Sequence, residues 1–186
     1  QSEAAAFCKQ HFGTDRDKLL DIGKDLADAQ VKAGLFAPGT ETLAELQPIL
    51  PPASDLRTHY MLTSTSAAAA FGLRKHGEAA AYSKANVQRA LEGGYSGSLM
   101  DSYVELISSQ LAQNQVTEAK ASLKMSLIEH NRIKQQKPDT FFDMYEVALA
   151  CIVLGMPEEA KRLTPLSNRT TSITYEEFVH LLAIFA

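Results

Sequence analysis

Glu177 and His180 stand three residues apart, the Glu-x-x-His spacing by which one helix face can offer a carboxylate and an imidazole to a di-iron centre. Such a centre needs a second motif of the same kind, and the chain has none, so a carboxylate–imidazole pair on a solvated face is expected. The 173–178 stretch has the outline of an EF-hand exit. Counting back from Glu177, however, puts Leu166, Asn168 and Thr170 at the first ligand places and Thr171 where glycine is required, which rejects calcium. Gly94-Tyr95-Ser96-Gly97-Ser98 nearly spells a nucleophile elbow, but its fifth residue is Ser98 and no strand precedes it, so a flexible connector over 93–98 is expected. His11, His59, His76 and His130 show no ligand spacing. No catalytic residue, metal or cofactor is therefore assigned. Asn168-Arg169-Thr170 is a glycosylation acceptor pattern that matters only in a secreted protein.

Cys8 and Cys151 lie far apart among apolar neighbours, which points to buried free thiols, since a core of this size needs no disulfide. Met61, Met100, Met125, Met144 and Met156 fall on apolar helix faces and read as core fillers. With 186 residues, 45% of them hydrophobic, the chain is long enough for a compact core. The longest apolar run, 147–154, is far short of the roughly 20 residues needed to span a bilayer, so no membrane insertion is expected. A formal net charge of −4 argues against a dedicated polyanion binder. Gln1-Ser2-Glu3 resembles neither a signal peptide nor a transit peptide, so a processed precursor or a trimmed chain is expected.

These groups must be positioned by helices. A short helix is expected over 3–11 and a second from Thr14 to about Ala33, with Leu19, Ile22 and Leu26 spaced by three and four and Gly34 as its stop. Pro38, Gly39, Pro48, Pro51 and Pro52 then leave room for one short helix after Thr40, and make this stretch the internal joint between 1–53 and 54–186. Beyond it come a long helix to about His76, another from about Glu78, an amphipathic helix carrying Met100, Tyr103 or Val104, Ile107 and Leu111, and a partner from about Thr117. A strongly apolar helix over 140–154 must be covered on two sides; Pro157 suits the first turn of the next, and Thr174-Tyr175-Glu176-Glu177 would cap a last one. About ten helices and no strand are expected.

Across these helices Glu-Ala recurs at Glu78-Ala79, Glu118-Ala119 and Glu159-Ala160, at intervals of 40 and 41 residues. Recurrence at such a period marks stacked helix pairs, with the small residue at each crossing. From Tyr103 onward the chain resembles the pentatricopeptide repeat (PPR) family of paired helices. Tyr103, Leu106-Ile107, Val116, Glu118-Ala119 and Leu123 match the motif in order, and Pro138-Asp139 matches its closing dipeptide. Val147, Gly155, Glu159-Ala160 and Leu163 carry it into the next unit, whereas Thr63 and Ser66 depart from it in the first. Gly155 and Ala160 also suit a tetratricopeptide (TPR) pattern.

The resemblance implies an all-α fold of α-α hairpin repeats, a PPR/TPR-like short solenoid with extra N-terminal helices, and an organellar, mostly mitochondrial, setting. RNA is the family's customary ligand, read by a polar side chain just after the first-helix aromatic together with the closing acidic or amide residue. Here the first of these is Val104, which forms no hydrogen bond and leaves Asp139 alone. The expectation is therefore a non-catalytic accessory subunit docking onto a larger mitochondrial protein assembly, with the F1 sector of ATP synthase as a candidate. The alternatives are an organellar RNA-binding PPR protein and a secreted or periplasmic TPR-like binder. Phe142, Tyr145, Leu149 and Ile152, three or four apart on the 140–154 helix, form the candidate protein-binding strip.

Overall fold

The computed structural model describes residues 15–50, 55–138 and 144–163. Among them are eight α-helices and no strand: α1 (Arg16–Lys32), α2 (Phe36–Leu46), α3 (Leu56–Gly72), α4 (His76–Gly93), α5 (Ser96–Ala112), α6 (Val116–Gln136), α7 (Tyr145–Val153) and α8 (Pro157–Leu163), with a 3-10 turn at Gln47–Ile49. The chain forms two compact units, Gln1–Tyr95 and Ser96–Ala186. Expectations placed on 3–11, Cys8, His11, 139–143 and 164–186 lie outside the described residues.

In the first unit, Asp15 caps α1 by accepting a hydrogen bond from the Lys18 N–H at 3.2 Å, and Leu20, Gly23, Ala27 and Val31 make its buried line. Gly34 follows the helix in the left-handed conformation. α2 corrects the expectation of a helix starting only after Thr40. It begins at Phe36, because Pro38 sits in the first turn, where an amide donor has no partner to lose. Gly39 is required by contact: a Cβ there would lie 2.7 Å from Val31 Cγ2 of α1. The Thr42 hydroxyl donates to Gln30 Oε1 across the pair at 2.9 Å, and Arg16 donates to the carbonyls of Ile49 and Leu50, tying the 3-10 turn to the start of α1.

α3 packs on both α1 and α2, across the 51–54 segment. Its cap is Asp55, which accepts from the Thr58 N–H at 3.2 Å. Leu62 joins Leu20, Ala27, Leu43 and Leu46 in the core of this unit. Ala67, Ala69 and Ala70 of α3 and Ala79 of α4 are buried, as expected of a close crossing, while Ala81 faces solvent.

In the second unit α7 packs on both α5 and α6, the relation that α3 has to α1 and α2. The connector expected over 93–98 shrinks to Gly94 and Tyr95. α5 already starts at Ser96, and the burial of Leu99 and Met100 in its first turns outweighs the helix cost of Gly97, about 1 kcal/mol. Met100, Tyr103 and Ile107 form the buried face of α5, with Val104 and Leu111 half-buried beside it. α7 buries Val147, Ala148, Ala150 and Cys151 on two sides. Among the methionines Met100 and Met144 are core residues, but Met61 and Met125 correct the expectation by being exposed.

The pairs α1/α2, α3/α4, α5/α6 and α7/α8 share one turn. The residues Gly34, Arg74, Asn114 and Gly155 all have positive φ and are 40, 40 and 41 residues apart. In each turn the next residue's N–H (Leu35, Lys75, Gln115, Met156) donates to a carbonyl five residues back at 2.7–2.9 Å, closing the helix end. Five residues beyond each left-handed residue sits a buried small one: Gly39, Ala79, Ala119 and Ala160, the three alanines at 0% exposure. The Glu-Ala dipeptides thus each carry a fully buried alanine near the start of a helix, at one distance from the preceding turn. The first pair shares the position but carries Pro38-Gly39 there.

Arg74 holds its left-handed backbone at φ 60° without glycine's freedom. A left-handed L-residue costs roughly 1–2 kcal/mol, partly offset by the extra chain entropy that glycine loses on folding. Arg74→Gly is therefore expected to stabilise the protein by about 1 kcal/mol, read as a rise in Tm.

Candidate protein-docking site

The strip assigned from sequence lies on α7. Tyr145, Leu149 and Ile152 occur at i, i+4 and i+7 and are each half-buried, with exposed Glu146 and Val153 beside them; Phe142 lies outside the described residues. The structure thus brings three of the four onto one helix face and leaves part of each accessible. Beneath them Met144, Val147, Ala148 and Cys151 anchor the helix in the core.

Shifting the register back by 41 residues takes Tyr145, Leu149 and Ile152 to Val104, Ser108 and Leu111 of α5, all half-buried. A further 40 residues lead to Ser64, Ala68 and Phe71 of α3, the last two exposed. In α3, α5 and α7 this line is left partly open, and it becomes more apolar and bulkier toward α7, whereas its counterparts in α1 are Lys24, Asp28 and the buried Val31. Tyr103, next to Val104, is buried, so the aromatic of this helix serves packing.

Two reactive side chains lie under this region. Cys151 is a free thiol with no exposed surface, and burial, assisted by Glu159 and opposed by Arg162, pushes its pKa up to about 11. It is protonated at neutral pH and supplies no thiolate. His130 of α6 is 4% exposed, and burial first, then the positive charges of Lys134 and Arg162, hold its pKa below the ordinary 6.5.

This depression has a sign. Below pH 6.5 the unfolded chain takes up a proton at His130 that the folded chain still refuses, so stability falls as pH drops through that value toward the lower folded pKa. Urea unfolding across the window from about pH 5 to 7 is expected to show this slope, and His130→Leu should flatten it.

Among the described residues no group of three or more His, Cys, Asp or Glu side chains is placed to hold a metal ion, and no helix is long and apolar enough to cross a membrane. His59 and His76 are half-buried on α3 and α4. Asp139 and the Glu177–His180 motif fall outside the described residues. Sequence reasoning missed two things here: the first helix pair as a member of the same series, and the exposed apolar face of α6. The first carried a signal, since Gly34 and Gly39 sit 40 residues before Arg74 and Ala79. No family model, no curated protein and no solved structure matches this chain.

Proposed function

We propose that the chain is a non-catalytic helical adaptor, a PPR- or TPR-like short solenoid, that docks onto a larger protein assembly. The observation that carries this reading is the half-open line Tyr145, Leu149, Ile152 on α7, beside the exposed Val153. Tyrosine and branched aliphatic side chains yield large contact area on burial at little entropic cost, which suits a protein partner. Recurrence of the turn and of the buried small residue at 40, 40 and 41 residues supports the solenoid reading.

The PPR resemblance makes mitochondria the expected setting. In size and helix type the chain is also similar to the small PPR-like subunit carried on the outside of the F1 sector in euglenozoan mitochondrial ATP synthases, so that sector is the first assembly to test. RNA reading is disfavoured by Val104 and by the net charge of −4. In a titration of short single-stranded RNAs at moderate salt, no sequence-dependent affinity in the submicromolar range is expected. Sequence-dependent binding at that level would replace docking by RNA recognition.

A further inference from the structure

Helix α6 turns an apolar stripe to solvent that neither its own pair nor α7 covers. Ala121, Met125 and Ile128 follow one another at four and three residues, with Met125 46% and Ile128 56% exposed. Lys120 and Lys124 run along one edge, also exposed, one helical turn apart, while Glu118 and the Arg132–Glu129 ion pair, 2.7 Å long, flank the other. Other exposed lysines find a carboxylate one turn away, among them Lys18–Asp15, Lys32–Asp28 and Lys161–Glu158, though among the described residues Lys84 and Lys137 do not. Lys120 and Lys124 have no ion-pair partner among the described residues. An apolar stripe with a positive edge at Lys120 and Lys124 is thus displayed by a chain whose net charge is −4.

We infer that this face of α6 binds an acidic amphipathic helix of a partner protein. The partner's apolar ridge lies over Met125 and Ile128, and its flanking carboxylates meet Lys120 and Lys124. Charge complementarity selects this occupant. Single-stranded nucleic acid binds through aromatic platforms on which bases stack, and this face offers Met and Ile instead. A membrane-surface helix inserts a broad apolar face rich in Trp, Phe or Leu, whereas two large apolar side chains are exposed here. A second copy meeting α6 about a two-fold axis would set this basic patch against itself.

The inference rests on the docking reading and specifies one partner's chemistry. It is tested with the intact chain and a fluorescein-labelled synthetic amphipathic helix bearing leucines on one face and glutamates on its flanks, titrated by anisotropy, beside a counterpart with lysine in place of glutamate. The acidic peptide is expected to bind and the basic one not. Lys120→Glu combined with Lys124→Glu, and separately Ile128→Glu, should each weaken binding about tenfold or more. Leu35→Glu, at an exposed apolar residue of the first unit, should leave it unchanged, and circular dichroism melting establishes that each variant is folded. No binding of the acidic peptide, equal binding of both peptides, or insensitivity to the α6 substitutions overturns the inference. So does capture of phosphatidylserine vesicles or single-stranded RNA in place of the peptide, lost on the same substitutions. A chain that enters its native assembly yet ignores the peptide discards α6 as a site and keeps docking, whereas one that binds the peptide but joins no assembly discards docking.

Discussion

Truncation of Leu123 to alanine is expected to destabilise the protein by about 2–5 kcal/mol, because the lost transfer energy adds to a cavity that fixed helices cannot close. Leu123 has 0% exposure and sits one turn beyond Ala119 on the buried face of α6. Urea unfolding followed by circular dichroism checks it. A loss under about 1 kcal/mol would mean that this face of α6 is not packed as described.

Enlarging the buried alanines should act in the opposite geometric sense with the same sign. Ala119→Leu and Ala160→Leu each insert a branched side chain at a fully buried position, and each is expected to cost about 1–3 kcal/mol through overpacking. Both alanines have 0% exposure, and each N–H donates to the carbonyl four residues back, Gln115 at 3.0 Å and Met156 at 3.2 Å, so neither can move outward without unwinding the first turn. An unchanged melting temperature in both variants would contradict the register of 39, 79, 119 and 160.

The helices were legible wherever apolar spacing and a capping signal coincided. Pro157 opens α8 from the first turn as expected, but α1 corrects the expectation: its cap is Asp15 rather than Thr14, and its buried line is Leu20, Gly23, Ala27 and Val31, one residue on from the half-buried Leu19, Ile22 and Leu26. Glu-Ala located three of the four buried small residues because the dipeptide recurs at nearly constant spacing. The fourth escaped because a Cβ at position 39 would lie 2.7 Å from Val31 Cγ2, so glycine stands there, and glycine in sequence reads as a break. Asn86 and Ser83 illustrate a further limit. Both are buried on α4 at the places where α2 has Leu46 and Leu43, and polar residues at helical spacing read as a solvated face.

The candidate site was legible to a smaller degree. Tyr145, Leu149 and Ile152 share a face because spacing dictates it, but how far they are open depends on what packs against α7, which no local pattern records. The α6 stripe was hidden for a related reason. Met125 and Ile128 look like core residues in a helix whose buried line, Leu123, Leu127, His130 and Ile133, is equally apolar in character save for one histidine.

The central claim is docking through the α7 strip, and native-gel migration of the epitope-tagged chain from lysate of its cell of origin tests it most directly. The free chain has a mass of 20.3 kDa. The account predicts that it migrates far above that mass, together with the F1 sector, after RNase treatment as well as before. A chain carrying Leu149→Arg and Ile152→Arg, still helical by circular dichroism, is predicted to fall to the position of the free protein. Migration of the unsubstituted chain as a free protein, or a large complex that RNase dissolves, would contradict it.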